Sequence, residues 1–193
     1  MINNKIFLSL LILLLSLTGC IERRTQATFD KETSVSRELA AMVEEDQRIR
    51  YNDSLEWSVV AAIDLKHRQR IYELLAKGEI TEPKNLYHAA LILQHAEPSS
   101  CQECFYLAYL LAYEAVARGF EEARNLTAAC LDRYLVFSGQ PQKYGTQFNR
   151  DSTGHWYLFE IDSLTTDSER QVWDVKPLEV IKAQIEKMNQ GLP

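Results

Sequence analysis

The chain has 193 residues, with 21 Lys and Arg against 27 Asp and Glu, a formal net charge of −6. That length suits one domain with a sizeable core. The acidic balance argues against nucleic acid as a partner, because such binding rests on Lys and Arg neutralising phosphates.

The opening residues, MINNKIFLSLLILLLSLTGC, place Lys5 before an apolar run from Ile6 to Leu17 that only Ser9 and Ser16 interrupt. The run falls short of the roughly 20 residues a membrane-spanning helix needs and has the form of a secretory signal peptide. Its end, Leu17-Thr18-Gly19-Cys20, resembles a bacterial lipobox. The resemblance implies a diacylglyceryl group on Cys20, cleavage before it and acylation of the new amine. Several acyl chains hold a protein on a bilayer far more firmly than one. Ile21 stands where an inner-membrane retention Asp is expected, which points to an outer membrane facing the periplasm. Losing 19 of the 193 residues leaves 174, and losing Lys5 with them moves the charge from −6 to −7. The expected organisation is a leader over 1–19, a lipidated tether over 20–33 whose polar, aperiodic sequence has little to bury, and a folded domain over 34–193.

Five helices are expected in succession. The first spans about 34–51, with Val35, Leu39, Met42 and Ile49 on one face of a 3.6-residue period. The second runs from Ser54, a favourable N-cap, to Ala76, with Gly78 as its stop. Its buried face is expected to hold Trp57, Val60, Ile71 and Leu74. The third, 84–96, is apolar nearly all round and so central; Pro98 blocks its continuation. The fourth and fifth, 101–118 and 121–137, are joined by Gly119-Phe120 and should form a hairpin resembling a tetratricopeptide-type unit. No second copy recurs at a fixed period, so an extended solenoid is not supported. Beyond Gly139 and Pro141, residues 156–162 read as a short strand. Residues 176–190 close the chain as an amphipathic helix with Leu178, Ile181 and Ile185 on one side. The fold expected is a mainly α, compact domain of five to six helices.

Four helices carry polar groups on apolar stripes. Asp46 fills the slot between Met42 and Ile49, and Arg50 lies one turn on as a partner. Asp64 and His67 share the middle of the second helix's stripe, where a carboxylate could orient an imidazole. His88 and His95 lie seven apart on the third, with Gln94 beside the second. Asp132 and Arg133 are the charges between Leu126 and Phe137. Burying so many polar groups costs several kcal/mol unless they satisfy one another, so they are expected to converge on one polar pocket. The loop after the fifth helix would fold over it, with Gln142, Thr146 and Gln147 as hydrogen-bonders, Tyr144 as a flat face with one hydroxyl, and Gly145 for backbone freedom.

After Cys20 the cysteines are Cys101, Cys104 and Cys130. A lone C-x-x-C is weak evidence for a metal, which normally takes four ligands, and no cofactor or metal site is expected. A disulfide, a redox pair and unpaired buried thiols all remain open for these three.

Three stretches, EEDQRIR (44–50), LILQHAE (91–97) and LDRYLVFSGQPQKYGTQF (131–148), together resemble an uncharacterised bacterial family, a domain of unknown function, with Asp-Gln-x-x-Arg, Gln-His-Ala and Asp-Arg…Gly-x-x-Gln-x-Tyr-Gly-Thr-Gln motifs. The matching positions are Asp46, Gln47, Arg50, Gln94, His95, Asp132, Arg133, Gly139, Gln142, Tyr144, Gly145, Thr146 and Gln147. The resemblance implies no activity. The expected role is a lipid-anchored binding domain for an envelope protein, peptide or glycan. One alternative is a hydrolase with His95 as general base, Asp46 or Asp132 as its acid and Gln147 or Arg133 steadying negative charge. No G-x-S-x-G or S-x-x-K motif supplies a nucleophile. A further alternative is an immunity or inhibitor lipoprotein.

Overall fold

The structure, a computed structural model, describes residues 34–51, 55–97 and 101–190. The leader, Cys20 and the tether lie outside the described residues. The chain divides into two units: residues 1–38 contribute 34–38, the start of the first helix, and residues 39–193 hold everything else.

Among the described residues there are seven helices and one two-stranded sheet: α1 (34–50), α2 (Trp57–Ala76), α3 (Pro83–Leu93), α4 (Gln102–Ala117), α5 (Arg124–Phe137), β1 (Phe148–Arg150), β2 (Trp156–Leu158), α6 (Asp167–Val172) and α7 (Leu178–Gln190). The mainly α expectation holds. In α1, Leu39, Met42, Asp46 and Ile49 are all buried. In α2 the buried positions are Val60, Asp64, His67, Ile71 and Leu74, an unbroken 4-3-4-3 stripe. Trp57, expected on that face, opens the helix instead and is 65% exposed. The N-cap is Glu56, with no side-chain cap bond; Ser54 lies outside the described residues.

Helix α3 starts with Pro83, whose missing N–H costs nothing in a first turn, and buries residues all round it, from Asn85 to Leu93. It ends at Leu93, three residues before the sequence pattern suggests. Gln94, His95 and Ala96 turn tightly, with His95 N donating to Ile92 O at 3.2 Å and Ala96 N to Leu93 O at 3.2 Å. His88 and His95 therefore do not share a helical stripe. Helix α4 buries Cys104, Phe105, Ala108, Leu111, Ala112 and Ala115. Four small residues on that face let α3 and α5 approach closely, since interaxial distance follows the side chains at the contact. Cys101, at the N-cap of α4, is disulfide-bonded to Cys104; Cys130 is a free, buried thiol, pushed up to about 12 by burial.

The expected strand over 156–162 is realised as β2, paired antiparallel to β1 with Phe148 opposite Leu158. Asn189 docks α7 on this hairpin: Trp156 N donates to its Oδ1 at 2.7 Å, and its Nδ2 donates to Trp156 O at 2.9 Å. Helix α6, which the sequence pattern does not reveal, starts at a capping box in which Thr166 and Glu169 satisfy each other's backbone N–H groups.

Candidate functional site

The stripe of α1 delivers Asp46 to a position 1% exposed. Three side chains meet its carboxylate. Arg50, one turn on, donates from Nη2 at 2.9 Å, Gln47 donates from Nε2 at 2.9 Å, and His95 Nδ1 lies 2.9 Å from Oδ2 and 3.1 Å from Oδ1. The early end of α3 makes the last contact possible, because His95 leaves the helix axis there. An ionised carboxylate only accepts, so Nδ1 carries a proton; when the ring holds that proton alone, Nε2 keeps its lone pair. Burial alone would raise the Asp46 pKa; the bonds and charges of His95 and Arg50 together outweigh it and hold the carboxyl below its ordinary value.

Arg50 also reaches across to α2, donating to Asp64 Oδ1 at 2.8 Å. The expected Asp64–His67 pair does not form. Asp64 faces Arg50, whereas His67, one turn further along, places Nε2 3.0 Å from Glu45 Oε2 of α1. His88 is buried away from this cluster, and burial lowers its pKa.

Arg133 of α5 completes the constellation. Its Nε donates to Gln147 Oε1 at 3.0 Å and its Nη1 to the Gln94 carbonyl at 2.5 Å. Its guanidinium sits 5.9 Å from the centre of the Phe105 ring, a cation–π arrangement. Gln147 is itself pinned, its Nε2 donating to Ala129 O at 3.2 Å and Thr146 Oγ1 at 3.0 Å. Arg50, Asp64, His95, Arg133 and Gln147 line one cleft of about 590 Å³. Its other walls are largely apolar, with Phe105, Val136 and Phe159 inside and Trp57, Leu65, Phe137 and Phe148 exposed around it.

Asp132 takes another role. It is 0% exposed and is not among the cleft-lining residues. One carboxylate oxygen accepts from Lys143 N at 2.7 Å and Tyr144 N at 2.8 Å; the other accepts from Thr146 N at 2.9 Å and Thr146 Oγ1 at 2.8 Å. Burial raises its pKa despite these donors. The 142–147 loop is thus wound around Asp132 rather than laid over a pocket. Gln142, fully buried, closes the loop by accepting from Gln147 N at 2.8 Å and donating to Gln147 O at 2.9 Å. Gly145 has φ +91°, and a Cβ there would lie 3.2 Å from Ile161 Cδ1. Tyr144 packs into a core cluster with Ala128 and Val175. Of the candidate loop residues, Gln147 alone reaches the cleft.

Two contributors escape sequence reasoning. The aromatic wall comes from segments with no shared periodicity. Arg170 of α6, 1% exposed, donates from Nε to Tyr144 O at 3.0 Å and from Nη1 to Thr165 O at 2.9 Å. It holds from the other side the loop that Asp132 holds from within. The capping box Thr166-x-x-Glu169 was the available signal for its helix. Comparison with protein-family models, with curated proteins and with solved structures finds no match.

Proposed function

We propose that this chain is a lipid-anchored cell-envelope protein whose helical domain binds a small molecule or peptide segment in the cleft. One observation carries the reading: Arg50, His95, Arg133 and Gln147, from four separate segments, line a single cleft of about 590 Å³ with mainly apolar walls. That volume and that mix of a few fixed polar groups in an apolar surround are those of ordinary ligand sites. Filling the cleft tests it. Ala61 lines it from α2, so Ala61→Trp should abolish binding while the domain still folds. A panel of peptides and small metabolites screened by thermal shift should yield ligands that raise the parent's Tm by several degrees at concentrations far above Kd. The same compounds should leave the filled variant unmoved; equal shifts in both would place binding elsewhere.

The Asp46–His95 contact favours a second reading, hydrolysis with His95 as general base. Asp46 fixes Nδ1, and Nε2 has no protein partner among the described residues. No Ser, Thr or Cys lines the cleft among those residues, so water would be the nucleophile. His95→Ala should then lower turnover of a responsive ester, amide or phosphodiester by about 10²–10⁴-fold, and equal turnover removes the role.

The anchor proposed is the lipid on Cys20, a reading supported by the resemblance of Leu17-Thr18-Gly19-Cys20 to a lipobox. Cells fed an alkyne fatty acid should label the parent chain and leave Cys20→Ser unlabelled and in the soluble fraction. Labelling of both chains would refute the anchor.

A further inference from the structure

Arg133 is held in an unusual way. Two protein acceptors fix its orientation, yet no carboxylate lies within 4.0 Å of it among the described residues, whereas Arg50 meets two. A guanidinium has five N–H donors. The bonds to Gln147 and Gln94 use two, leaving one on Nη1 and both on Nη2 without protein partners. These three form the end-on fork that suits bidentate contact with an oxyanion. Desolvation and the charge of Arg50 both press the Arg133 pKa down, but a guanidinium keeps its proton in a protein. The charge therefore stays, uncompensated, in a largely water-poor position facing a cleft.

The neighbouring charges limit what can answer it. Asp46 and Asp64 already face Arg50, and Asp46 also faces His95. Both carboxylates are engaged by Arg50 and neither lies within 4.0 Å of Arg133, so the fork itself presents one positive charge; Arg68 and Glu97 are the other charged groups lining the cleft among the described residues. Asp64 and Glu97 line the same cleft, so a singly charged, planar group suits it better than a doubly charged one. Phe105 beneath the guanidinium, together with Phe137, Phe148 and Phe159 lining the same cleft, provides the surface for an apolar body attached to that group.

We infer that Arg133 is the anchor for the carboxylate of a monoanionic ligand, such as a peptide C-terminus, whose apolar side chain lies against the phenylalanine wall. The inference rests on the binding reading above and adds the ligand class. Gln147 and the Gln94 carbonyl act as positioning groups that hold the fork open.

The test uses calorimetry on the full chain with three probes: N-acetyl-Phe-Phe as the free acid, the same dipeptide as its C-terminal amide, and phenyl phosphate. The parent should bind the acid about 10–100-fold more tightly than the amide, the range expected for charge-assisted bonds, and more tightly than phenyl phosphate. In Arg133→Gln the acid-to-amide ratio should collapse towards one, with Arg133→Lys in between. If Arg133→Gln does not fold, the ratio on the parent at rising salt decides. Acid and amide binding equally on the parent, or neither binding, overturns the inference. Phenyl phosphate binding best overturns the monoanion. If Ala61→Trp still abolishes binding of other ligands in those cases, the cleft reading stands and only the ligand class falls.

Discussion

Asp132→Ala is expected to lower the unfolding free energy by about 3–5 kcal/mol, the largest effect of any single polar substitution in this domain. The side chain is 0% exposed and receives four donors, three of them backbone N–H groups of a six-residue loop. Truncation strands those N–H groups, and each buried orphan donor costs about 1–3 kcal/mol. Relaxation of the loop recovers part of that sum. Asp132→Asn should be milder, about 1–3 kcal/mol. It keeps one oxygen for Lys143 and Tyr144, and sets an amide N–H₂ against the Thr146 N–H. Urea denaturation reads both, as shifts of midpoint with unchanged slope. Ligand binding should fall with stability. Gln147 hangs from the end of this loop, and Arg133 loses its orientation when Gln147 moves. A loss under about 1 kcal/mol for Asp132→Ala would mean that Arg170, gripping Tyr144 O from outside, suffices to hold the loop.

The opposite fates of Asp132 and Asp46 show what the sequence makes legible. Both are acids on apolar helix stripes, and periodicity places both in the interior. It says nothing of what meets them there. The Asp46–Arg50 contact spans one helical turn and is readable from spacing four. The Arg50–Asp64 and His95–Asp46 contacts span 14 and 49 residues. They exist because α1, α2 and the end of α3 come together, which no local pattern encodes. The same gap explains Asp64 and His67. Spacing three allows them to touch, but α1 offers each a better partner in Arg50 and Glu45. The motif-rich loop reads as a ligand lid because its side chains are all hydrogen-bonders. Most of them bond their own loop or the helix before it instead, with Gln142 joined to Gln147 and Thr146 to Asp132 of α5. Helix α6 stays hidden because six polar-rich residues carry no stripe; only its capping box shows.

Asp46→Asn should cost about 2–4 kcal/mol near pH 7, and the cost should shrink in acid. Breaking one partner of a buried pair typically costs 3–5 kcal/mol; Arg50 keeps Asp64 here, which moderates the loss. The pH dependence follows from the direction of the shift. Asp46 titrates below its ordinary value in the folded protein because His95 and Arg50 outweigh burial. An unfolded Asp titrates near about 3.9. The stabilisation is therefore complete above that unfolded value and is lost as pH falls through the lower folded one. Parent and variant should differ most at neutral pH and converge as pH drops below about 4. Taking the difference matters, because Asp132 is shifted the opposite way by burial and contributes a pH dependence of opposite sign. It is present in both chains and largely cancels if the two sites act independently. A gap that stayed constant from pH 7 down to 3 would mean Asp46 contributes shape rather than charge, and the hydrolase reading would lose the group that orients His95.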